Sequence, residues 1–336
     1  MKTYNDVTDL HELLNVTDKI KAIKEKDPEI LELLPDLEDW LIAGRITAYL
    51  LSYGKSLITN DARLYDIYDT IDIRFNEICA LTDKEITYAF PINISLDDCA
   101  AHNTPEIDDE TILSHNIVKL DIGVCVNGCI GDSALTVDLS ETHESLVQAS
   151  KEALMNAIPL MLPGKTVSEV GTEIERTILS YSFSPIRNLS GHRITHFTLH
   201  SGKNIPNFNS KEETLIEYGD IFAVEPFATD GAGLIENSGQ PEIFRLIELK
   251  NTRSAFTRQV LQAIKSLKTL PFSKLQVARL GNGNSSAKIN FALREMRSLN
   301  MIDEYAQLIE VDNGLVSQRE HTVIVGNEPI ITTTLD

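Results

Sequence analysis

The sequence predicts an α/β (α+β) protein made of two similar halves that face each other across a cleft. One order of elements carries the prediction: two helices, an extended segment holding a histidine, then carboxylate-bearing strands. It occurs over residues 39–139 and again over residues 141–227. The match is architectural, for side-chain identity between the halves is slight. The second support is residues 117–139, IVKLDIGVCVNGCIGDSALTVDL, which read as two strands around Asn127-Gly128. That dipeptide supplies the positive φ angles a two-residue hairpin turn needs. The third is composition: 336 residues, 42% of them hydrophobic, suffice for a large buried core.

In order, residues 1–40 are polar and acidic, with apolar residues at helical spacing (Leu10, Leu13, Leu14; Ile30, Leu31, Leu34). They read as an acidic N-terminal extension of short surface helices, either a cap or a partner-binding arm. Residues 39–56 (Leu41, Ile42, Ile46, Tyr49, Leu50) and 61–79 (Leu64, Ile67, Ile71, Phe75) carry helical patterns. YAFPINISLDDCAAHNTPE follows as an extended segment, with Pro91 excluding a helix interior. In the hairpin, the Asn127-Gly128 turn sets Gly123 opposite Asp132 and Asp121 opposite Ala134. Asp121 and Asp132 then lie diagonally on one face, while Val118, Leu120, Ile122 and Val124 form the core face. The second half opens with a mostly helical stretch, 141–162, stopped by Pro163-Gly164. A helix over 167–181 follows, opened by a Thr166-x-x-Glu169 capping box. Next come the extended SPIRNLSGHRITHFTLHSGKNIP and a strand over 220–227.

The second half is interrupted. Residues 254–302 read as three helices, with turns at Pro271 and Gly281-Asn282-Gly283, and are followed by strand-like DEYAQLIEV and LVSQREHTVIV. Three helices and a hairpin resemble a winged-helix module. From Lys250 to Asn300 there are ten Lys/Arg and one acid, Glu295, so this stretch is basic within a chain of net charge −20. The overall charge argues against wholesale nucleic-acid or anionic-membrane binding. No apolar run is long enough to span a bilayer, and MKTYNDVTDLHELL has no signal-peptide pattern. Cys79, Cys99, Cys125 and Cys129 are too few and scattered for a disulfide framework, so the expected location is the cytoplasm.

Two carboxylates on a buried hairpin repel unless a cation joins them. Asp121 and Asp132 therefore read as a metal-bridging pair, with room left by Gly123 and Ala134, or as two hydrogen-bonded surface carboxylates. Glu225 in FAVEPF and Glu320 in SQREHTVIV interrupt apolar strands; each alone reads as a surface residue on an edge strand, and together they extend the carboxylate set. His102, His192 and His200 offer imidazoles. His192, His196 and His200 would share one face of a strand, with His196 expected to be a neighbour and not a ligand. Cys125 falls on the aspartate face and reads as a small packing residue. Oxygen and nitrogen donors without thiolate suit Mn, Fe, Co or Zn. A di-metal centre would polarise a carbonyl and lower the pKa of a bridging water.

From about Ala43 onward the motifs AFPINISLDDCAAHNTP, KLDIGVCVNGCIGDSALTV, NLSGHRITHFTLHSGKNIP, FAVEPF and SQREHTVIV resemble the type II methionine aminopeptidases of archaea and eukaryotes. The resemblance implies the pita-bread fold, two pseudo-symmetric α/β halves around a dinuclear metal cleft. It divides the chain into residues 1–40, an extension, and 41–336, a catalytic domain interrupted by a winged-helix-like insertion over 250–312. It implies two divalent ions held by Asp121, Asp132, His192, Glu225 and Glu320, with Asp132 and Glu320 bridging. His102 and His200 would contact the scissile peptide, Glu225 would shuttle the proton, and Phe90 and Leu199 would line a methionine pocket. The implied reaction is removal of the initiator methionine from nascent proteins. The long insertion is the type II mark.

Two residues depart from the family pattern: Asn103 replaces a tyrosine, which would alter the pocket mouth, and Arg319 precedes Glu320 where an aromatic is common. The N-terminal extension is also longer than expected for an archaeal member. A prolidase or aminopeptidase P is the alternative on the same fold. A metal-free pita-bread protein that binds ribosomes or nucleic acid is the alternative of another class. The basic insertion over 250–300 either balances the acidic body or docks on ribosomal RNA.

Overall fold

The computed structural model describes residues 9–281 and 285–335. The expected turn at Asn282-Gly283 and the first eight residues of the extension lie outside them.

The first half packs helices α3 (Leu37–Leu57) and α4 (Leu64–Cys79) behind an antiparallel sheet. In α4, Leu64, Ile67, Tyr68, Ile71, Phe75 and Ile78 are buried, a three-four spacing that makes one apolar stripe. The sheet consists of β1 (Ile86–Tyr88), β2 (Asn93–Leu96), β4 (Ile117–Val126) and β5 (Cys129–Asp138); β3 (Cys99–Ala101) pairs elsewhere. Asn127 and Gly128 have φ of 50° and 100°, so the hairpin turn forms as its sequence demands. The register follows from it: Val126 opposite Cys129, Gly123 opposite Asp132, Asp121 opposite Ala134. Val118, Leu120, Ile122 and Val124 are fully buried against the helices. Helix α3 crosses β5 so closely that a Cβ on Gly131 would stand 2.6 Å from the Gly44 backbone.

In the second half, α5 (Glu144–Ala157) and α6 (Val167–Ser180) take the places of α3 and α4, and Thr166 and Glu169 form the capping box. Two sheets follow. One is ordered β16-β15-β9-β7-β8 and contains β7 (Ser190–Arg193), β8 (Asn204–Pro206), β9 (Ile221–Val224), β15 (His321–Val325) and β16 (Pro329–Ile331). The other joins β6 (Ser184–Pro185), β10 (Phe227–Thr229) and β14 (Val316–Gln318). The strand expected over 220–227 is thus two strands in two sheets. Pro226, which has no N–H to give, sits at the break.

The halves meet along β5. Asp132 N–H donates to Thr322 Oγ1 at 2.7 Å, Glu320 N–H to the Ala134 carbonyl at 3.1 Å, and the Ser133 hydroxyl to the Glu320 carbonyl at 2.7 Å. This is the pita-bread arrangement, two α/β halves closing on a shared line of hydrogen bonds.

Helices α7 (Ala255–Ile264), α8 (Lys274–Leu280) and α9 (Ser286–Ser298) follow as expected. The strand after them does not form a hairpin with 316–325. β13 (Ile302–Glu310) pairs instead with β11 (Ile235–Leu246), the strand before the helices, and with β3 of the first half; β12 (Phe272–Ser273) closes the other edge. β11 escaped the sequence reading because it is polar and exposed from Glu236 to Gln240 and contains Gly239 and Pro241, both strand breakers. The extension contributes α1 (Thr17–Lys26) and α2 (Pro28–Leu33), and its Leu13, Val16, Ile23 and Ile30 are buried in the main core. Asp27 ties it down, accepting from the Tyr218 hydroxyl at 2.5 Å and from Asn327 N–H at 2.7 Å.

Candidate metal centre

Asp121 and Asp132 reach into the cleft from neighbouring strands of one hairpin. His192 enters from β7, opposite Ala223 of β9. Glu225 and Glu320 sit at the two points where the chain leaves one second-half sheet for the other, between β9 and β10 and between β14 and β15. His192 Nε2 lies 3.8 Å from Asp132 Oδ2 and 3.6 Å from Glu225 Oε1. Donor atoms of Asp132, His192 and Glu320 all fall within 4.8 Å of one another. His192 Nδ1 donates to the Leu199 carbonyl at 2.7 Å, which fixes its tautomer and leaves the Nε2 lone pair facing the carboxylates.

Among the described residues, no Lys or Arg makes an ion pair with these carboxylates; only His192 approaches them. Asp121 Oδ1, Asp132 Oδ1 and Glu320 Oε2 are buried and accept no hydrogen bond. Burial pushes Asp121 up to about 7, with Gln318 pulling it back. Burial first, then repulsion from the neighbouring carboxylates, drives Asp132, Glu225 and Glu320 well above the usual range. Burial pushes His192 down to about 3 and so keeps it neutral. Buried carboxyl oxygens without hydrogen-bond donors, set around a neutral imidazole, make a donor set of hard oxygen and imidazole nitrogen that fits a first-row divalent metal.

All nine residues singled out in the sequence line one cavity of about 470 Å³: Phe90, His102, Asp121, Asp132, His192, Leu199, His200, Glu225 and Glu320. The His200 ring stands 4.1 Å from that of His192, open to the cleft; enclosure and then the Arg245 charge hold its pKa down. His102 adopts a left-handed backbone, φ 65°, and its Nδ1 lies 3.2 Å from the Ala306 carbonyl. Burial pushes it down to about 4.

Some expectations need correction and others hold. The space at Gly123 is not left for an ion: a Cβ there would meet the Phe90 ring at 2.2 Å, so the glycine seats the pocket wall. The strand through His192 ends at Arg193. Beyond it Thr195 and Thr198 close a tight turn, with Phe197 at φ 53°, that swings His196 outward and brings Leu199 and His200 back to the cavity. Asn103 is not at the mouth. It donates to the Ile94 carbonyl at 2.6 Å and accepts from Gln307 at 2.7 Å, away from the cavity wall. Arg319, as expected, does not line the cavity. Cys125 is buried in the core, its thiol pushed up to about 11.

Three residues were missed. Gln318 donates toward Asp121 Oδ2 at 3.3 Å and Glu225 Oε2 at 3.5 Å. Its signal was present, for it lies two residues before Glu320. Arg245 and Tyr305 reach the cavity from β11 and β13, and the Tyr305 ring meets His102 edge-on at 5.7 Å. Nothing in the sequence marks them: Arg245 lies on β11, which carries strand breakers, and Tyr305 reaches the cavity only through the pairing of β13 with β11 and β3.

Residues 40–253 match the sequence model of metallopeptidase family M24. The chain is 38% identical over 304 residues to a methionine aminopeptidase of Thermococcus onnurineus, covering 90% of this chain and all of that one. It is 34% identical over 294 residues to a methionine aminopeptidase of Methanocaldococcus jannaschii, covering 87% and 96%. Among solved structures, a thermophilic Arx1 superposes with a TM-score of 0.77 at 16% identity, over 88% of this chain and 90% of that one. The methionine aminopeptidase of Thermotoga maritima gives 0.64 at 19% identity, over 89% and 97%. At such identities these two likenesses speak for the fold alone.

Proposed function

The chain belongs to metallopeptidase family M24, and from that premise we propose that it is a metal-dependent aminopeptidase removing the N-terminal methionine of nascent proteins. The observation that carries the reading is the carboxylate cluster at the cavity floor, with three buried oxygens that accept no hydrogen bond. The homologues named methionine aminopeptidase support it across nearly the whole chain.

Asp121, Asp132, His192, Glu225 and Glu320 would hold the divalent ions, of the Mn, Fe, Co or Zn class. When bound, such ions polarise the scissile carbonyl and supply a nucleophile from water at neutral pH. This chain's own side chains do the rest. Glu225 carries the proton from the attacking water to the leaving amine. His200 and His102, both held neutral, contact the scissile peptide and favour its tetrahedral geometry. Gln318 orients Asp121 and Glu225. Phe90 and Leu199 border the apolar pocket for the methionine side chain.

The long insertion between Glu225 and Glu320 favours the type II branch. Its basic face is a candidate tether to ribosomal RNA near emerging chains, and the cytoplasm is the compartment in which that substrate appears. Among the described residues, no helix is long and apolar enough to cross a membrane.

The direct test is release of methionine from a Met-Ala-Ser peptide by the purified protein, before and after metal removal and re-addition. Met-Ala, Met-Gly and Met-Ser peptides should be cut much faster than Met-Lys or Met-Leu. Efficient cleavage of Xaa-Pro dipeptides without preference for methionine would place the activity with the prolidases instead.

A further inference from the structure

A second cluster of metal-ligating side chains lies outside the cavity. Asp36, Cys129 and His196 come from three parts of the molecule: the start of α3 beside the N-terminal extension, the tip of the first-half hairpin, and the second-half turn at residues 195–198. Cys129 Sγ lies 3.3 Å from Asp36 Oδ2 and 3.6 Å from His196 Nε2, and His196 and Asp36 are in direct hydrogen-bond contact. We infer that Asp36, Cys129 and His196 form a separate binding site for a single divalent cation of the zinc class, which clamps the turn carrying the cavity wall to the hairpin tip and to α3.

The chemistry of the donor set is the first argument. One thiolate, one imidazole and one carboxylate are borderline-soft ligands of the kind zinc and cobalt take, unlike the all-oxygen-and-imidazole set in the cavity. A tetrahedral centre with Zn–S of about 2.3 Å and Zn–N of about 2.0 Å sets its ligand atoms roughly 3.5 Å apart. The two distances from Cys129 Sγ already match this spacing. The Asp36–His196 edge is tighter and opens when an ion enters.

The second argument is what Asp36 forgoes. It occupies the N-cap of α3, where an aspartate ordinarily accepts a hydrogen bond from the first-turn amides. Here its side chain makes no such bond and turns toward Cys129 and His196. The third is the local field. Asp39 stands nearby, held by Lys84 and by the Asn127 amide. Burial first, then Asp36 and Asp39, push the Cys129 thiol far up, so without a cation it stays protonated. Binding of the ion releases that proton to solvent and gives the thiolate. His196 ligates through Nε2 with its remaining proton on Nδ1. Its side chain is 52% exposed, which gives the ion an entry path and leaves room for water as the fourth ligand.

The consequence for the cavity follows from the turn. His196 is held edge-on to Trp40, 5.5 Å between ring centres, and Phe197 N–H donates to the Gly128 carbonyl at 2.9 Å. A few residues on come Leu199, whose carbonyl orients His192, and His200. Fixing His196 fixes the approach to both.

Cobalt distinguishes the two centres, because the cavity ligands include no thiolate. Titrating the full-length protein with Co2+ should produce a thiolate-to-cobalt charge-transfer band in the near ultraviolet. Cys129→Ser should abolish the band, and His196→Asn should weaken or shift it. The band should persist in Asp121→Ala, where the cavity centre is damaged. Hydrogen exchange across residues 194–200 should slow on adding zinc to the Asp121→Ala protein, and should not slow when His196→Asn is added. His196 is at the surface, so its variant keeps the test open should Cys129→Ser fold poorly. Absence of any thiolate band in excess cobalt, or a band unchanged by both Cys129→Ser and His196→Asn, would overturn the site. Either result leaves the aminopeptidase reading standing, since that depends on the cavity centre alone.

Discussion

The two halves deliver their carboxylates by different means. Asp121 and Asp132 sit in mid-strand on a regular hairpin, and their diagonal placement follows from a two-residue turn and ten paired positions. Glu225 and Glu320 sit where strands end and the chain changes sheets. The first pair needs only local register. The second pair needs β9, β10, β14 and β15 all in place, and Glu320 is further bound to β5 through its backbone. One half of the centre is therefore built by the hairpin, and the other is completed when the halves close.

The largest expected effect treats the two halves as equals. Asp121→Ala and Glu320→Ala should each abolish turnover and reduce bound metal, because each removes a ligand. Full activity in either variant after metal re-addition would break the assignment of that half. A sharper division is expected between the two adjacent imidazoles. His192→Ala should lose metal along with activity. His200→Ala should keep its metal and lose about 10²–10³ in kcat, the scale for a group acting on the transition state. Metal analysis giving the reverse pattern would mean that their roles are exchanged.

The hairpin's strain is expected to show in the metal-free protein. Asp121 is pushed up to about 7 from an ordinary 3.8. In that window the folded state holds a proton the unfolded state has released, so this group's contribution to stability is present at low pH and lost as pH rises toward 7. Asp121→Asn should therefore raise Tm of the metal-free protein by a few degrees, on the order of the shift one kcal/mol gives a chain of this size, and more at pH 7 than at pH 5. Equal shifts at the two pH values would show that Asp121 is not the strained group.

The same contrast explains what the sequence made legible. Alternation and a turn dipeptide are local, so Asp121, Asp132 and the core face of β4 could be placed to the residue. Glu225 and Glu320 were visible as carboxylates in apolar surroundings, but the strand break at Pro226 was read through, because the sheet exchange is a tertiary event. β11 was invisible for a related reason. Its first half faces solvent and carries breakers, and only its pairing with β13 makes it a strand. Arg245 is hidden with it, and Tyr305 because the pairing of β13 with β11 is a tertiary event. The turn after Arg193 was hidden behind β-favouring threonines, and it separates His196 from the cavity.

Two glycines test how far close packing supports the hairpin. Gly131→Ala would drive a Cβ into the backbone of Gly44, where neither side can give way. It should cost about 1–3 kcal/mol or more of stability. Gly123→Ala meets the Phe90 ring first, and that side chain can move into the cavity. It should cost less stability and instead raise KM for Met-Ala-Ser. Equal losses of Tm with unchanged KM would remove Phe90 from the pocket wall.

The smallest effect on the chemistry is expected from the insertion, whose sheet joins both halves. Of its ten basic side chains, Lys250, Lys268, Lys274, Arg279 and Arg297 make ion pairs with acids. Arg279 pairs with both Asp69 and Asp72 of α4. Lys268 and Arg279 thus pair with acids of the first half, while Lys250, Lys274 and Arg297 pair with acids on or beside β11 and β13. Arg253, Lys265, Lys288 and Arg294 make no ion pair among the described residues, and they are the side chains free to meet phosphate. Exposed pairs add little to stability, so reversing these four to Glu should leave Tm and peptide hydrolysis nearly unchanged. If they tether the enzyme to ribosomal RNA, the reversal should abolish co-sedimentation with ribosomes at low salt. The parent protein's binding should then fall steeply as salt rises, since each phosphate contact releases a counterion. Binding that survives the reversal, or that is absent in the parent at low salt, would assign the whole basic surface to charge balance.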